Sequence, residues 1–212
     1  SSREIPAGVI SENNALIFVI ISSLIFCLTT YFINQLCFYL SPVALTVILG
    51  YSFTKRFTLL CHLVLGVGLA LAPVGAYIAV TEKFNLIPIL FGIVVFLWVS
   101  GFDIIYALQD EEFDRSQSLK SIPVYFGKKN ALRISEILHY ISAFLILYIY
   151  FSTAFGWVYL IGAAVFIALL IYQHLLVKPN DLSRVTLAFA STNGIASVLF
   201  CIFVCTDIFL NS

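Results

Sequence analysis

Charge is what this sequence lacks. Asp, Glu, Lys and Arg make up 10% of its 212 residues, where a soluble domain carries about 25%, and that deficit excludes an ordinary water-soluble fold. The charges present cancel to a net of zero, which leaves no basic excess to attract nucleic acid. No CxxC pair occurs among Cys27, Cys37, Cys61, Cys201 and Cys205; this argues against metal or disulfide roles and leaves them as small buried hydrophobes. A cleavable signal peptide is also missing, because the first eleven residues are polar and turn-forming and the first apolar span is full length. No methionine stands at the start. The opening SSREIPAGVISENN, with turn chemistry at Pro6 and Gly8, reads as a cytoplasmic loop continuing from an upstream segment.

Apolar length is what the chain has instead. Hydrophobic residues account for 61% and the mean hydropathy is +1.05. Runs long enough to cross a bilayer, about 20 residues each, lie at roughly 15–34, 36–53, 59–80, 86–109, 136–152, 155–177 and 187–209. They tolerate Pro42, Pro73 and Pro88 and lack the even alternation of a membrane β-barrel. The expectation is an all-α, polytopic membrane bundle of seven helices forming a single domain. In the third span, Gly68, Ala72 and Ala76 recur at four-residue spacing, a pattern that lets helices approach closely in lipid.

Basic residues settle the expected orientation. Arg3, Lys55, Arg56, Arg115, Lys120, Lys128, Lys129, Arg133, Lys178 and Arg184 fall at the N-terminus or in alternate loops, leaving only Lys83 opposite. By the positive-inside rule those loops are cytoplasmic, with the N-terminus inside and the C-terminus outside. The longest polar stretch, within 110–135, reads as a cap loop over the cytoplasmic mouth of the bundle. The last three spans, with no ionisable residue at their centres but His174, read as scaffold.

The chemistry concentrates in GFDIIYALQDEEFD, residues 101–114. On a helix turning about 100° per residue, Asp103, Asp110 and Asp114 fall within roughly 40° of one another, with Tyr106 alongside. Asp103 sits about 9 Å inside the end of the fourth span, where a carboxylate is costly unless it faces a wet or charged interior. It marks a functional site, or else it hydrogen-bonds a neighbouring helix. Asp110 and Asp114, about 6 Å apart along the axis, repel unless a cation lies between them. Mg²⁺ suits such a pair, since it prefers oxygen ligands and is commonly held by one or two carboxylates plus substrate phosphates. Lys55, Arg56 and Lys120 lie on the same side and suit a diphosphate, though the positive-inside rule alone would also place them there. Tyr51 and Tyr106 are either hydrogen-bond donors to the site or interfacial belt tyrosines. His62, His139 and His174 show no ligand spacing and read as interface or helix-end residues.

The pattern DxxYAxxDxExD followed by KSIPVYFG resembles the second aspartate-rich motif of the UbiA superfamily of intramembrane prenyltransferases. Within it, DIIYALQDEEFDRSQSLKSIP is most similar to the 4-hydroxybenzoate polyprenyltransferase branch, including relatives assigned to menaquinone biosynthesis. REIPAGVIS resembles the segment after the family's first aspartate-rich motif, and YSFTKRFT its YPxxKR-type cytoplasmic loop. The resemblance implies a fold of nine transmembrane helices, so that two helices and a first motif of the form NDxxDxxxD are expected upstream of Ser1. It implies Mg²⁺ held by Asp110 and Asp114 and bridged to a polyprenyl diphosphate, and Asp103 near the reacting carbons. Tyr51, Lys55, Arg56, Lys120 and, less directly, Arg3 would then hold the diphosphate. The expected activity is Mg²⁺-dependent polyprenyl transfer to an aromatic acid such as 4-hydroxybenzoate in quinone biosynthesis, at the cytoplasmic face of an inner or plasma membrane. The alternatives are another branch of the superfamily, serving menaquinone, haem, chlorophyll or ether lipids, and a cation-coupled transporter using Asp103 and Asp110.

Overall fold

A computed structural model describes residues 4–5 and 7–211, and among them every regular element is helical. Helix α1 spans Glu12–Ile33, α2 Gln35–Thr54, α3 Cys61–Thr81, α4 Leu86–Ala107, α5 Glu111–Ser116, α6 Ile122–Ser152, α7 Trp157–Leu176 and α8 Asn193–Asn211. A 3-10 turn, Leu108–Asp110, links α4 to α5, and a π-helical turn, Leu187–Thr192, leads into α8. Seven of the helical segments are long and apolar enough to cross a bilayer. The chain is an integral membrane protein, and its spans match those expected to within a few residues at most ends.

Side-chain caps set several boundaries. The Ser11 hydroxyl accepts from Asn14 N–H at the start of α1, and the Asn34 carbonyl oxygen accepts from Cys37 N–H at 2.8 Å at the start of α2. Asn34 also ties the α1–α2 hairpin to α3, since its amide donates to the Ile78 carbonyl at 2.9 Å. The Asn85 side chain accepts from Ile87 N–H and opens α4. Each cap meets a helix-end donor that has no intrahelical partner.

The 110–135 stretch is largely helical. After α5, Ser118 turns the chain through a left-handed backbone, φ 55°, and Leu119 N–H closes the turn on the Asp114 carbonyl at 2.8 Å. Ser121 then caps α6 by accepting from Val124 N–H, with Pro123 in the first turn. Proline is tolerated there because its missing N–H would have had no helical partner. Gly127, at φ 75° and ψ 162°, breaks α6 after one turn, and the remainder runs on as the fifth membrane span.

Helices packed in chain order form the body, most closely α3 on α4, α4 on α6 and α7 on α8. The close approach of α3 to α4 occurs at Gly66 and Gly92. A Cβ on Gly66 would lie 2.7 Å from the Phe96 carbonyl, and one on Gly92 3.1 Å from that of Ala70. Gly68 meets only Val47 at 3.9 Å, while Ala72 and Ala76 are exposed. The small-residue row expected to make the contact therefore faces away from α4. Two apolar cores result. One gathers Ile104, Ile105 and Leu108 with Val177 and Val185; the other gathers Val94, Ile146, Tyr159 and Phe166.

Candidate functional site

The acidic end of α4 meets the α2–α3 connection. Lys120 N–H donates to the Lys55 carbonyl at 2.7 Å, and Lys120 Nζ donates to the Phe57 carbonyl at 3.2 Å. These two bonds hold the segment after α2 against the segment before α6. The consequence is an ion pair: Lys55 Nζ lies 2.9 Å from Asp114 Oδ2, with the carboxylate 2% exposed. Asp110 is close enough to act on the same ammonium. Burial pulls the Lys55 pKa down, but the hydrogen bond and charge of Asp114, with the charge of Asp110, more than reverse this and leave it above the ordinary lysine value. Lys55 is therefore charged across the neutral range; its stabilising contribution is complete below the unfolded lysine pKa and is lost only as pH rises past the elevated folded value.

The three aspartates do not all have the same partner on the α2–α3 side. The tighter 3-10 turn at Leu108–Asp110 interrupts the helix and re-aims the residues beyond it. Asp114 turns inward to Lys55, Asp110 stays half-buried, and Asp103 turns to α3. There Asp103 Oδ2 lies 2.6 Å from Nδ1 of His62, whose side chain is fully buried. A carboxylate oxygen accepts, so Nδ1 carries the proton of this bond. Asp103 thus bonds a neighbouring helix, as one of its two readings had it, with 15% of its side chain exposed. Tyr51, at the end of α2, lies close enough to Asp103 and Cys61 to feel both.

Other expected residues stand apart. Arg56 is exposed and lies over the Phe53 ring at 5.6 Å. The Tyr106 ring packs against Phe189 with centroids 4.2 Å apart. Glu111 pairs with Arg115 at 2.8 Å and approaches Lys128 at 3.9 Å, while Glu112 is exposed. Arg3 lies outside the described residues. Sequence reasoning missed His62; the signal that could have found it was the need of Asp103, deep in an apolar span, for a partner on the next helix.

Among the described residues no three His, Cys, Asp or Glu side chains converge as a complete metal site. Asp110 and Asp114 nonetheless fit Mg²⁺ by donor chemistry, being hard oxygen ligands at the mouth of the bundle that need substrate phosphates to fill the shell. Lys55 places a positive charge beside them.

A second polar assembly occupies the interior of α4, α6, α7 and α8. The Trp98 carbonyl lies 3.1 Å from His139 Nε2, which must donate, so His139 Nδ1 accepts from His174 Nε2 at 2.9 Å. Asn193 Oδ1 accepts from Trp98 Nε1 at 3.1 Å and from the Gln173 amide. Fully buried Asp207 accepts from Gly156 N–H at 2.8 Å and Tyr159 N–H at 3.0 Å, capping α7 from α8. These spans contain more ionisable residues than the scaffold expected. A cavity of about 320 Å³ lined by Glu136, His139, Tyr140, His174 and Lys178 opens between α6 and α7, away from the aspartates.

Comparison with known proteins agrees with the all-helical membrane fold. The profile of the UbiA prenyltransferase family matches residues 1–204. A 4-hydroxybenzoate octaprenyltransferase of Citrobacter koseri is 31% identical over 94% of this chain and 69% of its own length. The enzyme of that name from Francisella tularensis subsp. mediasiatica is 28% identical over 95% of this chain and 71% of its own. Among solved structures, the apo form of a UbiA homolog from Aeropyrum pernix K1 superposes with a TM-score of 0.87 at 28% identity, covering 98% of this chain and 77% of that one.

Proposed function

The chain belongs to the UbiA prenyltransferase family, and from that premise we propose that it transfers a polyprenyl group from polyprenyl diphosphate to an aromatic acid, 4-hydroxybenzoate or a close analogue, in quinone biosynthesis. The observation that carries the reading is Lys55 held on Asp114 within reach of Asp110. One cation beside two carboxylates suits a metal-bound diphosphate: the acids would hold Mg²⁺ and Lys55 would meet the phosphate oxygens. When bound, Mg²⁺ draws negative charge onto the departing diphosphate as a Lewis acid. Lys55, with Lys120 and Arg56 on the same connections, supplies electrostatic stabilisation to the leaving group. Tyr51 would hydrogen-bond a phosphate oxygen. Asp103 and Tyr106 line the approach to the reacting carbons, and the surrounding apolar side chains shield the allylic cation from water.

The donor's tail is lipid-soluble and its diphosphate is not, so the site belongs at a membrane interface; the positive-inside rule assigns the cytoplasmic one. The test is transfer to 4-hydroxybenzoate in membranes carrying the protein. Wild type should prenylate the ring only with Mg²⁺ present, and Asp110→Asn or Asp114→Asn should remove transfer while the helical circular-dichroism signal stays. Wild-type rates in either variant would defeat the metal-site assignment. Uptake of an ion or solute into proteoliposomes, with no prenylated product, would favour a transporter.

A further inference from the structure

His62 is a buried titratable group at this end of the bundle that the diphosphate chemistry leaves without a task. Its side chain is fully buried, its Nδ1 is fixed on Asp103 at 2.6 Å, and its Nε2 is buried with no hydrogen-bond partner among the described residues. Leaving a buried imidazole nitrogen unpaired is unfavourable, and native interiors rarely do it without a reason. Meanwhile Asp103 Oδ1 accepts no hydrogen bond among the described residues and is not buried. The arrangement is a carboxylate with one oxygen anchored by a ring in the wall and the other free toward the open side. The titratable groups facing it are Tyr51 from α2 and Cys61 beside His62 on α3.

We infer that Asp103 is the proton acceptor of the reaction and that His62 is its positioning residue, an inference that rests on the prenyl-transfer reading above. Attack of the ring on the prenyl group forms a carbon–carbon bond as the bond from the prenyl carbon to diphosphate oxygen breaks and its electrons leave with diphosphate. The attacked ring carbon then carries both the prenyl group and a hydrogen. That carbon–hydrogen bond breaks, its electrons restore the aromatic ring, and its proton passes to Asp103 Oδ1. The Nδ1–H of His62 occupies Oδ2 and holds the carboxylate plane in place, which leaves Oδ1 for the proton.

The experiment uses the protein in proteoliposomes with geranylgeranyl diphosphate and 4-hydroxybenzoate deuterated at the ring positions beside the hydroxyl. Diphosphate release in the absence of acceptor is measured separately. Asp103→Asn and His62→Gln should lower ring transfer by about a hundredfold, the scale of general-base catalysis, and should lower transfer at least tenfold more than diphosphate release. A primary deuterium isotope effect should appear that wild type lacks, as proton removal becomes rate-limiting. His62→Asn, whose amide nitrogen can stand in for Nδ1, should recover part of the loss, and the acidic limb of its pH profile should lie between those of wild type and His62→Gln. Equal falls in transfer and diphosphate release with no isotope effect, in the isosteric Asp103→Asn as in the His62 variants, would overturn the inference alone. Absence of ring transfer by wild type would instead sink the prenyl-transfer reading.

Discussion

The interior polar groups of the two halves are finished to different degrees. In the α7–α8 half, His139 and His174 satisfy each other and the Trp98 carbonyl, Asn193 gathers Trp98 and Gln173, and Asp207 closes two N–H groups of α7. Among the described residues Gln173 Oε1 is the one fully buried side-chain atom there without a hydrogen-bond partner. At the α3–α4 end, Asp103 keeps an oxygen free, Asp110 lies half-buried, and Lys55 shares its charge between two acids. Buried polar groups that use one another up rigidify a bundle, because breaking any one of them orphans another. Groups left with spare donors or acceptors are available to a ligand. The contrast does not depend on which residues are charged, since both halves contain aspartate and histidine.

The sharpest way to break the contrast is to remove a charge from each side. Asp114→Asn should lower ring transfer by about a hundredfold or more, as loss of a group that stabilises charge on reacting oxygens does, with little change in thermal stability in detergent. Asp207→Ala should do the reverse. It strands two buried N–H groups at the start of α7 and should cost about 2 kcal/mol of stability, read as a lowered melting temperature, while transfer per folded molecule stays near wild type. A large loss of specific transfer in Asp207→Ala would mean that the α7–α8 half takes part in the chemistry.

The sequence made the spans and the identity of the acids plain, because twenty-residue apolar runs and carboxylates inside them are expensive in lipid and therefore conspicuous. It did not reveal where the acids point. Counting at a uniform helical turn put Asp103, Asp110 and Asp114 on one face but could not assign their partners, His62 for Asp103 and Lys55 for Asp114. His62 was illegible for another reason: its partner lies 41 residues away on the next helix, and no local spacing marks a contact made across a bundle. His139 and Asp207 escaped likewise, since each is satisfied by backbone or side chains from other helices. Gly66 was passed over for Gly68 because four-residue spacing fixes which residues share a face, not which face meets the neighbour.

A milder cut in the scaffold is Trp98→Phe. It removes one of the two donors to Asn193 Oδ1 while the Gln173 amide still serves it, so the acceptor is not orphaned and the loss should be about 1 kcal/mol in thermal stability. A cost as large as that of Asp207→Ala would show that the polar network is cooperative and that its members cannot be ranked one at a time.

The smallest effect tests a residue on the border between the two halves. Tyr106 lies between Asp103 and Asp110 in sequence, yet its hydroxyl makes no hydrogen bond among the described residues, and its ring rests on Phe189 of the π-helical turn before α8. If the ring is what matters, Tyr106→Phe should change transfer by less than about threefold, well short of the tenfold that losing a 1.4 kcal/mol interaction brings. Tyr106→Ala should lower stability by roughly 1 kcal/mol through the lost ring contact. A hundredfold loss in Tyr106→Phe, with stability unchanged, would place the hydroxyl on the substrate. The site would then extend from α4 toward α8, and the boundary between open and finished polar groups would have to be redrawn there.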